Sequence, residues 1–196
     1  MPNTHTLHIP WKAVALMRSR IPLTHELGGE VRIARTAIPG RWAVVGMDAV
    51  EGSPCRDDHG AKLRKGTHCS IRKPDYPISF HTHPKSNAPS SADMRNSLFK
   101  HPGMLRYHGK RRLSVIFTRE GVWGYYPRKD FVTKWRRGKH TDPDMRKEVR
   151  RWSAFKRRYG VGAVFLRYMR SRGMAIAYSD YERIRTNGGM ELSFEE

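Results

Sequence analysis

Tyr76-Pro77-Ile78-Ser79-Phe80-His81-Thr82-His83-Pro84, followed after a short loop by Pro89-Ser90-Ser91-Ala92-Asp93, is the stretch on which the reading of this chain turns. Apolar positions alternate along Tyr76 to Phe80, as in a strand whose residues i and i+2 share a face. His81 and His83 therefore project together. Two imidazoles on one face can share one metal ion at about 2.0–2.1 Å, and a carboxylate arriving from the next element supplies a third ligand at a similar distance. Asp93 is in place for that role, and a fourth position is left for water. Pro89 to Asp93 also reads as a helix start, with Ser90 as N-cap and Asp93 three positions later, where a carboxylate suits the helix dipole. The two readings agree, because a helix start aims a ligand well.

The pattern His81-Thr82-His83-Pro84 with Ser90 and Asp93 resembles the signature of the JAB/MPN domain family, whose catalytic members are the JAMM zinc metalloproteases. That family also carries an upstream glutamate before a glycine pair that opens a strand, and Glu26-Leu27-Gly28-Gly29 fits, with Val31 to Ala34 as the strand. Glu30 is the rival, but it would lie inside that strand. Family members commonly place seven residues between the second histidine and the serine; here Pro84 to Pro89 make six, a one-residue shortening of the loop. The likeness spans roughly residues 8 to 128.

The chemistry of such a site can be stated in general terms. Zn2+ held by His81, His83 and Asp93 would lower the pKa of water from 15.7 to about 7. Glu26 would accept the proton and pass it to the leaving amine as general base and acid. Ser90 is the candidate hydroxyl donor to the oxyanion, an interaction worth about 3 kcal/mol of barrier. The resemblance implies the substrate class, an isopeptide or peptide bond at the C-terminus of ubiquitin or a ubiquitin-like protein. It also implies the fold: an α+β arrangement of α/β-type layers, a mixed sheet flanked by helices. Residues 1–130 would form this domain and residues 131–196 a basic helical C-terminal extension packed on it.

Charge is the second large feature. The chain of 196 residues has 38 Lys and Arg against 18 Asp and Glu, a formal charge of +20. Residues 134–172 hold 14 basic and 3 acidic side chains, so more than half of the excess lies there. Lys134, Arg136 and Arg137 open this region. Asp142-Pro143 then signals a helix start, and Met145, Val149, Trp152 and Phe155 recur at helical spacing. Arg150, Arg151, Arg157 and Arg158 fall on the other faces, as candidates for binding nucleic acid, an anionic surface or an acidic protein. No helix-turn-helix, zinc finger or ribonucleoprotein motif accompanies them, so binding would be driven by phosphate contacts and would weaken with salt.

Cys55 and Cys69 make no disulfide framework, consistent with a reducing compartment, cytoplasm or nucleus. Cys55, His59, His68 and Cys69 match no common zinc spacing. No stretch approaches the roughly 20 apolar residues of a membrane span, and no secretory apolar region opens the chain. Residues 1–25 are free of acidic side chains, but Trp11 to Arg20 is placed as the domain's first helix rather than as a targeting segment. The remaining core signals are strands at Trp42 to Val45 and Met47 to Val50, a helix from Ala92 to Lys100, and a strand, turn and strand from Leu113 to Tyr126.

Two functions of different class are consistent with these residues. One is a JAMM-type zinc isopeptidase or peptidase acting on ubiquitin-like or other protein conjugates. The other is a non-catalytic structural or nucleic-acid-associated component of a large assembly such as a virus particle. A polymerase-and-histidinol-phosphatase type phosphoesterase also uses His-x-His, but needs a longer barrel with more dispersed ligands.

Overall fold

The computed structural model describes residues 4–21, 26–51, 78–84, 86–90, 93, 113–128 and 142–195. Lys134, Arg136, Arg137, Cys55, Cys69 and nearly all of the expected Ala92 to Lys100 helix lie outside these residues. The described elements are β1 (Thr4–Pro10), α1 (Trp11–Ser19), β2 (Leu27–Arg35), β3 (Arg41–Glu51), β4 (Ile78–His83), β5 (Leu113–Thr118) and β6 (Gly121–Pro127). They continue with α2 (Asp142–Tyr159), α3 (Ala163–Ser171), β7 (Met174–Asp180), α4 (Tyr181–Thr186) and β8 (Gly189–Glu195).

The eight strands among the described residues join one sheet in the order β7-β6-β5-β4-β2-β3-β1-β8. β7 and β8 are consecutive in the chain yet occupy opposite edges. In a flat sheet those edges would be about 33 Å apart, whereas the six-residue α4 between them is about 9 Å long. The sheet must roll up, and it does: a Cβ on Gly124 of β6 would overlap the Leu192 side chain of β8. Asp180 caps α4 by accepting a hydrogen bond from Arg183 N at 2.7 Å.

This corrects the expected architecture. The chain does not form the layered α+β, JAB/MPN-like sheet flanked by helices with a helical basic appendage. Strand exceeds helix, 47% against 33% of the described residues, and the sheet is a nearly closed, barrel-like surface. The C-terminal region is not helical throughout, because it supplies the two strands at which the sheet approaches closure. The expectation failed for a physical reason. β1 and β8 pair across nearly the whole chain, from Thr4 with Glu195 to Pro10 with Gly189, and such a non-local pairing has no local sequence signal.

Strands β4, β5 and β6 are buried along their whole length, and their alternate residues enter two cores. Phe80, Val115, Phe117 and Val122 join Leu7, Ile9, Val14 and Leu192 in the first. Ile116, Trp123 and Tyr125 join Val149, Trp152, Phe165 and Met169 from α2 and α3 in the second. Val149, Trp152 and Phe155 of the apolar stripe read on α2 thus lie on the face it turns to the second core, with Phe155 stacked on Tyr168 of α3 at 3.9 Å.

An ion pair fixes α2 against α3. Glu148 is 5% exposed and receives Arg172 Nε and Nη2, both at 2.6 Å, together with Trp152 Nε1 at 3.0 Å. Burial pushes the Glu148 carboxyl up, but the hydrogen bonds and charge of Arg172, with help from Arg151 and Trp152, hold it below its ordinary value of 4.5. A depressed carboxyl contributes stability in full above its unfolded value and loses it as pH falls through the folded one. Glu148→Gln should therefore cost about 2 kcal/mol at neutral pH. In urea denaturation series, the gap between variant and parent should narrow as pH falls below about 4.5.

Candidate metal centre

β4 lies between β2 and β5, antiparallel to the first and parallel to the second. Its two-residue period turns Phe80 and Thr82 to one face and His81 and His83 to the other. Both imidazoles are buried, 3% and 4% exposed, and their Nε2 atoms lie 3.1 Å apart. Asp93, 6% exposed, closes a triangle with them: Oδ1 is 3.0 Å from His81 Nε2 and Oδ2 is 3.1 Å from His83 Nε2. The structure thus brings together the three residues that the sequence marks as ligands.

Two local devices aim Asp93. Ser90 Oγ donates to Asp93 Oδ2 at 2.5 Å, and Asp93 N donates back to Ser90 Oγ at 3.1 Å. Ser90 N adds a bond to the same carboxylate oxygen at 2.8 Å. This reciprocal pattern is that of a capping box, as the spacing suggests. The single hydroxyl proton of Ser90 is engaged by Asp93, so in this arrangement Ser90 orients the carboxylate rather than facing a substrate.

Glu26 comes from the neighbouring strand. Gly28 pairs with His81 and Gly29 with Phe80, so the antiparallel register carries Glu26 to the level of His83. Its Oε1 lies 3.7 Å from His83 Nε2. Leu27 N donates to Thr82 Oγ1 at 2.8 Å and fixes this end of β2. Glu30 instead pairs with Ser79 and Asp48, away from the imidazoles. Thr82 was not singled out from sequence; its alternation with the histidines is the signal that sets it on the opposite face.

The donor set suits a divalent ion. His83 Nδ1 is 3.0 Å from the carbonyl of Ala88, and since a carbonyl only accepts, Nδ1 carries a proton and Nε2 is the nitrogen turned to the carboxylates. His83 Nε2 faces the Asp93 carboxylate with Glu26 close by. Two imidazoles and two carboxylates this close need a proton on an imidazole nitrogen or a cation between them. Ligands of a tetrahedral zinc stand about 3.3–3.4 Å apart when each is about 2.0–2.1 Å from the ion. The edges of 3.0 to 3.1 Å fall just short of that spacing. Glu26, His81 and His83 also form a group whose ligand atoms lie within 4.8 Å of one another.

The basic candidates are divided. Arg150, Arg151, Arg157 and Arg158 are exposed on α2, and Arg151 reaches Glu148 at 3.3 Å. Lys156 of the same helix, which the sequence marks only as one more basic residue on its outer faces, donates to the carbonyl of Pro89 at 3.3 Å. It joins α2 to the loop that carries Ser90. No helix among the described residues is long and apolar enough to cross a membrane. Compared with protein-family models, curated proteins and solved structures, the chain matches none.

If Ser90 orients a ligand, Ser90→Ala should lower zinc affinity about 10–100-fold while leaving the fold intact. Competition against a chromogenic chelator, with circular dichroism as the control, measures this directly.

Proposed function

We propose that this chain is a zinc-dependent hydrolase of amide bonds, an isopeptidase or peptidase of JAMM type in its ligand pattern, acting on ubiquitin-like or other protein conjugates. The observation that carries the proposal is the buried triangle of His81, His83 and Asp93 with a glutamate at its edge. The likeness to JAMM enzymes rests on this local strand, loop and carboxylate arrangement and not on a layered fold.

Zinc in this place supplies Lewis acidity, which lowers the pKa of water and polarises a carbonyl. The chain's own residues do the rest. Glu26 has a side chain 14% exposed, against 4% for each histidine and 8% for Asp93. It is the carboxylate that water and substrate reach. It accepts a proton from the attacking water and returns it to the leaving nitrogen. Ser90 Oγ–H holds the Asp93 carboxylate in place and so positions that ligand. On the other face of β4, Phe80 packs into the first core and Thr82 Oγ1 accepts from Leu27 N. The exposed Arg150, Arg157 and Arg158 add to the proposal an acidic protein or nucleic acid as partner.

Glu26→Gln should retain zinc and lose roughly two to four orders of magnitude in turnover of an isopeptide-linked ubiquitin-like conjugate or a fluorogenic peptide. A variant that turns over as fast as the parent would remove Glu26 from the mechanism.

A further inference from the structure

A cavity of about 280 Å3 lies between α2, α3 and the loop that leads to Asp93. Val149, Trp152 and Phe165 form its apolar floor, and Ser90, Lys156 and Arg157 stand at its rim. Ser90 is shared with the metal centre, since it lines this cavity and also binds Asp93. The volume is below the roughly 300–1,000 Å3 of a site for a drug-sized molecule. It suits one apolar side chain and its flanking backbone.

The rim is positive. Among the described residues neither Lys156 nor Arg157 pairs with a carboxylate, and Lys156 makes one hydrogen bond, to Pro89 O. Two of its three N–H donors are therefore available to a ligand. Lys156 is half-buried, so burial pushes its pKa down, with the charge of Asp93 opposing. A carboxylate arriving there would restore the balance. Beyond the rim the apolar surface continues onto the turn between α2 and α3, where Tyr159 is 50%, Val161 38% and Val164 44% exposed. Gly160, at φ +70°, shapes that turn, and neither it nor Gly162 has a neighbour within 4 Å of a built Cβ.

We propose that this cavity is the specificity subsite of the hydrolase: it takes an apolar side chain of the peptide beside the scissile amide, and Lys156 with Arg157 binds a carboxylate next to that side chain. The proposal rests on the hydrolase reading. Its occupant follows from continuity with the metal centre through Ser90, from the apolar floor and from the unpaired positive rim. The carboxylate is either a chain terminus or an acidic side chain, which present the same chemistry to the two cations.

The test uses the zinc-loaded full chain, and each titration is repeated on the His81→Ala/His83→Ala variant to separate any carboxylate bound at the metal. Acetyl-leucine, acetyl-leucinamide, acetyl-leucyl-glutamic acid amide and acetyl-glycine are titrated by amide NMR shifts. A leucine probe bearing a carboxylate should bind about tenfold tighter than acetyl-leucinamide and than acetyl-glycine. The tighter of acetyl-leucine and the leucyl-glutamate probe identifies the carboxylate as terminal or side-chain. Lys156→Met, which keeps the apolar stem, should abolish the acid preference, and Lys156→Arg should keep it. Equal binding of acid and amide, or an acid preference unchanged in Lys156→Met, overturns the subsite. Turnover of amide substrates without that preference would overturn the subsite and leave the hydrolase standing. An acid preference in a chain that hydrolyses no amide would instead remove the hydrolase and, with it, the subsite's role in specificity.

Discussion

Two imidazoles and a carboxylate meet within 3.1 Å of one another in the interior of the protein. The surrounding structure is organised around the cost of that arrangement. Buried imidazoles and a carboxylate at this spacing are unfavourable unless a proton or a cation is shared between them. The arrangement persists because β4 is held on both sides by backbone ladders and cannot swing its side chains apart. The Ala88 carbonyl fixes the tautomer of His83, and Ser90 fixes the carboxylate. His83 and Asp93 are thus each held by a second group, an arrangement suited to metal ligands.

The rolled sheet extends this constraint to the rest of the chain. β5 and β6 carry Ile116, Trp123 and Tyr125 on the face that α2 and α3 cover, and His81, which pairs with Ile116, puts the candidate metal centre on the same face. Trp123 Nε1 donates to the carbonyl of Asn87 at 2.9 Å, and Lys156 donates to that of Pro89 at 3.3 Å. The site loop is therefore clasped between β6 and α2. Because Glu148 and Arg172 hold α2 in position, the basic C-terminal region bears directly on the placement of Ser90 and Asp93. The region that looked like an attached tail is one wall of the site.

The site was more legible in the sequence than the fold around it. Alternation along Ile78 to His83 sufficed to put both imidazoles on one face, and the Ser90 to Asp93 spacing sufficed for the capping pattern, because both are local. Glu26 needed the resemblance to a known pattern, since its approach to His83 depends on the register between β2 and β4. β1 and β8 were missed because their pairing joins the two ends of the chain. β7 was missed because its buried Met174 and Ile176 alternate with alanines, a weak strand signal. The cluster of arginines on α2 drew attention to an exposed surface, whereas the member of that helix that touches the site loop is Lys156.

The central claim is that His81, His83 and Asp93 hold a divalent ion. Elemental mass spectrometry on protein purified without chelator, beside a His81→Ala/His83→Ala variant, tests it most directly. About one zinc per chain in the parent and none in the variant is the expected result. A folded parent that carries no zinc and takes none up on addition, or a variant that binds as much as the parent, would contradict it.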